Sequence, residues 1–137
     1  MIFWDRIKYI EDNHYFNKEN CPFCETSNEQ KKYLIHETKY WKIVYNKFPY
    51  YWNKKHIMAI PKRHIKYTVE LNNEELIDYK NIEIYMKEYY KLSNNYYSFI
   101  RQTTGWRSIE HLHYHYLPWH ISFDEKSKEN IFRIKNK

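Results

Sequence analysis

The stretch "SIEHLHYHYLPW", Ser108 to Trp119, decides how this chain is read. It puts His111, His113 and His115 on alternate positions, with Leu112, Tyr114 and Tyr116 between them. Side chains on a strand alternate between faces, so a period of two predicts a strand with imidazoles on one face and apolar groups on the other. From the residues alone such a histidine face has three readings. It is a metal chelator, a row of solvent-facing rings, or a division of labour in which one ring binds metal, one attacks and one donates to an anion.

The chain around this segment has 137 residues, enough for one domain with its own core and too few for two ordinary ones, so a single domain over 1–137 is expected. With 16 Tyr, 5 Trp and a single Gly, the composition is neither low-complexity nor disordered. Lys and Arg outnumber Asp and Glu by 23 to 17, and the resulting +6 favours anionic partners such as nucleotides, polyphosphates or nucleic acid. The basic residues are scattered and no nucleic-acid-binding motif stands out, which ranks nucleic acid behind small anionic ligands. "MIFWDRIKYIEDN" carries charge within its first six residues and has no unbroken apolar run, which argues against a signal peptide or a membrane span.

Coarse periodicity orders the elements. A short amphipathic helix is expected at the N-terminus, followed by a turn or knuckle at "CPFCETSNEQKK". "YLIHETKYWKIVYNK" alternates at Trp41, Ile43 and Tyr45 and reads as a strand, and "KHIMAIPKRHI" holds a second, roughly His56 to Ile60, ended by Pro61. Asn72 and Glu75 have capping-box spacing, and Tyr79, Ile82, Tyr85, Met86, Tyr89 and Leu92 then follow at helical spacing. "NNYYSFIRQ" resumes extended character, and Gly105 marks the connection to the histidine segment. The charged tail, 124–137, reads as an edge strand, a docked segment or a mobile end.

Cys21 and Cys24 form a C-x-x-C, "CPFC". That spacing suits a metal clip or a redox pair better than a structural disulfide, and it places the chain in a reducing compartment, the cytoplasm. A thioredoxin-like pair would want a βαβ context that does not follow here. A structural zinc needs four ligands, so the two thiols require two partners from elsewhere, and histidines are at hand. Two inert buried cysteines are the plain alternative.

Taken together, these motifs resemble the histidine triad family. "HLHYHYL" fits the pattern His-φ-His-φ-His-φ-φ, where φ is apolar, and "HIMAIPKRHI" is similar to the family's H-φ-φ-φ-φ-P-K-x-H strand. "NKFP" and "CPFC" match two further elements in the right order, so the resemblance covers residues 21–118. It implies an α+β fold with a central antiparallel sheet of about five strands, one long helix and a short N-terminal helix. It also implies a nucleotide hydrolase or nucleotidyl transferase, a two-fold homodimer and, in the metal-bearing branch, one structural zinc per chain.

Carried over by position, the resemblance makes Cys21, Cys24, His64 and His111 the zinc ligands and His113 the nucleophile. His115 would bond the phosphate, His56 would join the imidazole network, and Ser108 would face the phosphate. Asn46 would contact the ribose and Phe23 would wall the base. A neutral imidazole suits attack on an anionic phosphate ester, because it escapes the repulsion a carboxylate would meet, and it leaves well when water arrives. Flanking donors then offset the charge developing on the phosphoryl oxygens.

The chain departs from the pattern before the triad, where "FIRQTTGWRSIEH" has Trp106 and Arg107 in place of the family's Gly and Gln. Arg107 can supply phosphate contacts of its own, since a guanidinium offers fixed donors and a permanent charge. Two rival expectations stand beside catalysis: a nucleotide- or partner-binding module of the same fold that no longer turns over, and an RNA or DNA end-processing enzyme.

Overall fold

The computed structural model describes residues 21–24, 28–50, 53–93, 95–102, 109–118, 120–123 and 132–135. The expected N-terminal helix, Arg107, Ser108 and the Gly105 connection lie outside these residues, as does most of the 124–137 tail.

A five-stranded antiparallel sheet organises the molecule. Its strands are β1 (Leu34–Glu37), β2 (Trp41–Tyr45), β3 (Ile57–Pro61), β4 (Tyr96–Phe99) and β5 (Tyr114–Pro118), in the order β1-β2-β3-β5-β4. A single helical turn, α1 (Asn28–Lys31), precedes the sheet, and the long helix α2 (Asn73–Tyr89) connects its two halves. A separate two-stranded pair, β6 (His120–Phe123) and β7 (Phe132–Lys135), draws part of the charged tail into strand structure.

The stretch expected as one strand over residues 33–47 is a hairpin. β1 and β2 are joined by a tight turn in which Thr38 N donates to Trp41 O at 2.9 Å, and the register shifts between Leu34 and His36. The turn carries no Gly, Pro or Asn-Gly pair, the residues that usually announce one. Its polar groups are met from α2 instead: Asp78 accepts from Thr38 Oγ1 at 2.7 Å and from Tyr40 N at 2.8 Å.

β3 is buried along its whole length, as its unbroken apolar run requires of a strand covered on both faces. It includes Pro61, one residue beyond the expected end. The ladder to β5 stops at Ala59 opposite Tyr114, so the N–H that proline lacks falls past that ladder's reach.

Helix α2 begins where the capping box places it. Asn72 Oδ1 accepts from Glu75 N and Glu75 Oε1 accepts from Asn72 N, both at 2.9 Å. Such a cap is worth about 1 kcal/mol. Ile82 and Met86 are fully buried against Trp41, Ile43, Ile57, Leu112 and Tyr116, with Tyr79, Tyr85 and Tyr89 packed around them. Leu92 departs from the expected stripe, because the helix ends at Tyr89 and Leu92 is 88% exposed beyond it.

The histidine segment is only partly strand. Pairing begins at Tyr114, so His111 and His113 precede β5, held to the segment that follows β3 where Leu112 N donates to Ile65 O at 2.7 Å. The alternation survives without the ladder: Leu112 and Tyr116 enter the apolar core, and all three triad histidines are buried on the other side. The solvent-facing reading of these rings does not hold.

Candidate active site and metal cluster

Four of the expected residues converge at one end of the triad. Cys21 and Cys24 lie in a tight turn closed by Cys24 N donating to Cys21 O at 3.1 Å, His64 follows β3, and His111 precedes β5. One ligand atom from each lies within 4.8 Å of all the others. His111 Nδ1 is 3.4 Å from both sulfurs, and His64 Nδ1 is 3.1 Å from Cys24 Sγ.

These separations suit a tetrahedral ion. Zinc bonded at about 2.3 Å to sulfur and 2.0–2.1 Å to nitrogen puts neighbouring ligand atoms roughly 3.3–3.8 Å apart. His111 is oriented for the task, since its Nε2–H donates to Pro61 O at 2.8 Å and leaves the lone pair on Nδ1, facing the sulfurs. Burial pushes the Cys21 thiol up to about 12 and the His111 ring down to about 3, so without a cation these two groups are held neutral. Neither cysteine is in a disulfide. The set fits a metal ion with two thiolates and two neutral imidazoles.

The remaining triad residues face a cavity of about 280 Å³. Backbone contacts fix which ring nitrogen carries each proton. His113 Nδ1 lies 2.6 Å from the carbonyl oxygen of His111, which can only accept, so Nδ1 carries the hydrogen and the lone pair sits on Nε2. Tyr50 N–H, which can only donate, reaches His56 Nδ1 at 3.1 Å. His56 therefore carries its proton on Nε2 and donates it to His115 Nδ1 at 2.9 Å, which puts the His115 proton on Nε2. The result is a pair of neighbouring rings, centroids 4.8 Å apart, one with a lone pair on Nε2 and one with an Nε2–H donor.

Packing holds these rings. Phe23 stands edge-on to His113 at 5.1 Å and to His111 at 5.9 Å, with its carbonyl accepting from Lys42 Nζ. Phe99 stacks on His115 at 4.7 Å and 9°, and Tyr50 lies nearly parallel to His115 at 6.0 Å. Asn46 lines the cavity and also lies against His56, with Nδ2 3.3 Å from Nδ1 while its Oδ1 accepts from Phe48 N at 2.8 Å. Phe23 and Asn46 are thus both at the cavity, as part of the imidazole packing. His56 is at the site without lining the cavity; it reaches it through His115.

Solved structures with this arrangement of strands and helix are at hand. A HIT family hydrolase from Legionella pneumophila Philadelphia 1 superposes with a TM-score of 0.57 at 22% identity, over 78% of this chain and 98% of that one. The fold is that of the histidine triad proteins. A histidine triad nucleotide-binding protein from Candida albicans gives a TM-score of 0.58 at 20% identity, over 72% of this chain and 73% of that one. A zinc-bound histidine triad family protein from Mycobacterium smegmatis gives 0.61 at 15% identity, over 88% of this chain and 86% of that one. No protein-family model matches the sequence, and no curated protein matches it.

Within this histidine triad fold, sequence reasoning missed Tyr50, Lys42 and Arg101. All three line the cavity, together with Met58 and Ile60 of β3. Tyr50 and Lys42 were hidden because this chain uses Tyr and Lys everywhere. Arg101 sits just after a strand next to the triad, and that position was its only signal. No helix among the described residues is long and apolar enough to cross a membrane.

Proposed function

We propose that this chain is a histidine triad enzyme, a nucleotide hydrolase or nucleotidyl transferase that attacks the α-phosphorus of a nucleotide conjugate through His113. One observation carries the reading: the 2.6 Å bond from His113 Nδ1–H to the His111 carbonyl, which places the attacking lone pair on Nε2. In the first step the Nε2–P bond forms and the bond from phosphorus to the leaving group breaks, with the electron pair going to the leaving group. Water then attacks the same phosphorus and gives up a proton to solvent as the O–P bond forms, the Nε2–P bond breaks and the ring regains its lone pair. In a transferase an acceptor takes the place of water. His115 Nε2–H meets the charge on the phosphoryl oxygens during both steps.

Cys21, Cys24, His64 and His111 hold one zinc in this reading. Four protein ligands leave the ion no open position, so it ties the knuckle and the His64 loop to the triad. A nucleotide class of ligand is supported by the cavity, which has aromatic walls and basic residues and is near the lower size of small-molecule sites, about 300 Å³. The names of the hydrolase and nucleotide-binding neighbours point the same way. A thiol-rich zinc site is also best kept in a reducing compartment such as the cytoplasm.

The deciding experiment is incubation with a panel of nucleotide conjugates, followed by rapid quench and detection of an acid-labile, base-stable nucleotide on His113. A labelled wild-type chain and an unlabelled His113→Asn chain are expected. Nucleotide binding with no label and no turnover would establish the non-catalytic module instead.

A further inference from the structure

The cavity does not end at the triad, and the strand register shows where it leads. His115 on β5 pairs with Met58 on β3, Met58 with Val44 on β2, and Val44 with Leu34 on β1. Residues directly opposite one another share a sheet face, and all four line the cavity. A second row on the same face runs from Ile60 to Lys42 to Glu37 and lines the cavity too. The floor leading away from the triad is therefore apolar, and a cross-strand pair of opposite charges stands on its β1–β2 side. Neighbouring strands lie about 4.8 Å apart, so Lys42 stands two spacings, roughly 10 Å, from β5. That is comparable with the reach of a nucleoside from its 5′-phosphate to the outer edge of its base. Lys42 is half-buried and its Nζ donates to the Phe23 carbonyl; an ammonium has two further N–H groups. Glu37 is exposed, and its Oε1 lies 3.6 Å from Lys62 Nζ, an exposed pairing of the kind that contributes little.

We infer that Lys42 is a specificity-determining residue that selects guanine nucleotides, its ammonium donating to the base carbonyl O6 while Glu37 accepts from N1–H and N2–H. The inference rests on the proposed function, which puts the phosphate at His113 and His115. With the phosphate there, the sugar lies over Met58 and Ile60 and the base over Val44, beside Lys42. A lysine ammonium only donates and a glutamate carboxylate only accepts, so the pair is matched to an edge that offers acceptors next to donors. Guanine has O6 and N7 as neighbouring acceptors and gives a carboxylate two donors at once. Adenine puts an amino group where guanine has O6, which sets donor against donor at Lys42. Hydrogen bonds with an ionised partner are about twice as strong as neutral ones, so the mismatch is costly.

Equilibrium binding of guanosine and adenosine 5′-monophosphates tests this without turnover. The wild-type chain should bind the guanine nucleotide about tenfold or more tightly, as expected for one added charge-assisted contact. Lys42→Met should bring the two affinities within about threefold of each other, well under one such contact. The ratio decides, because Lys42 also holds the Phe23 carbonyl and loss of that contact alone would weaken both nucleotides alike. Equal affinities in the wild-type chain, a preference for adenine, or a guanine preference that survives Lys42→Met overturns the inference. Inosine 5′-monophosphate needs no variant and keeps the test alive should Lys42→Met fail to fold. It retains O6 and lacks the N2 amino group, so it should bind more tightly than the adenine nucleotide, and equal binding of those two overturns the role of Lys42. Covalent labelling of His113 without a guanine preference sinks the inference alone. A Lys42-dependent preference without labelling sinks the nucleotidyl-histidine reading alone.

Discussion

Asp78 accepts a hydrogen bond from the hydroxyl of Thr38 at 2.7 Å, across a separation of 40 residues, and so a helix side chain closes a hairpin turn. Burial works to raise the Asp78 pKa, and the hydrogen bonds from Asn81, Thr38 and Tyr40 outweigh it, so the carboxyl is held below its usual range. Glu75 behaves likewise: burial raises it, and Arg63 and the Asn72 N–H bring it down.

Both carboxyls predict the same pH response. A group whose folded pKa is depressed stabilises the fold fully above its unfolded pKa, near 4, and that contribution is lost as pH falls through the folded value. Thermal midpoints followed at decreasing pH should therefore drop below about pH 4–5. Asp78→Asn should lower stability at neutral pH by about 1–3 kcal/mol and flatten the acid limb. An unchanged acid limb in that variant would show that Asp78 does not set it.

Freshly purified protein should contain about one zinc per chain by elemental analysis, as four closed ligands dictate. Chelation, or Cys24→Ser, should lower the thermal midpoint and expose Cys21 to thiol reagents. Zinc-free protein of unchanged stability would refute the structural role, and lost activity at full stability would mark a catalytic metal.

The three triad histidines should part company on substitution. His113→Asn should abolish turnover and labelling while zinc content and nucleotide affinity hold. His111→Asn should release zinc and destabilise the chain. His115→Asn should keep the metal and slow turnover by about 10²-fold, the cost of deleting one oxyanion donor. Equal metal loss in all three variants would make the segment a chelator and end the nucleophile reading.

Association is the fourth expectation. The histidine triad resemblance implies a two-fold dimer, and α2 exposes Leu76, Ile77 and Ile84, which the core does not use. Light scattering at micromolar concentration should give twice the 17.5 kDa chain mass, and a monomer mass would reject the dimer.

Much of this arrangement was legible in the sequence because its signals are local. The Asn72 and Glu75 spacing announced the start of α2, and the H-x-H-x-H alternation announced one face of imidazoles. The turn at Thr38 to Tyr40 was not legible, because the group that satisfies it comes from Asp78, far away in the chain. The start of β5 was misjudged for a related reason. Alternation reports which way side chains point, while strand assignment needs a partner, and that ladder runs out at Ala59 opposite Tyr114. Tyr50 escaped notice because it acts on His56 through its backbone N–H, which no side-chain pattern reveals.

His111 faces two ways: its ring lies among the sulfurs of Cys21 and Cys24, while its own carbonyl accepts the hydrogen bond from His113 Nδ1. What the proposed nucleophile asks of the Cys21, Cys24, His64 and His111 cluster is therefore the fixed tilt of a single peptide plane. A redesign replacing both thiols and both imidazoles with apolar side chains of matched volume should still produce a working nucleophile, provided the His111–Leu112 amide does not turn.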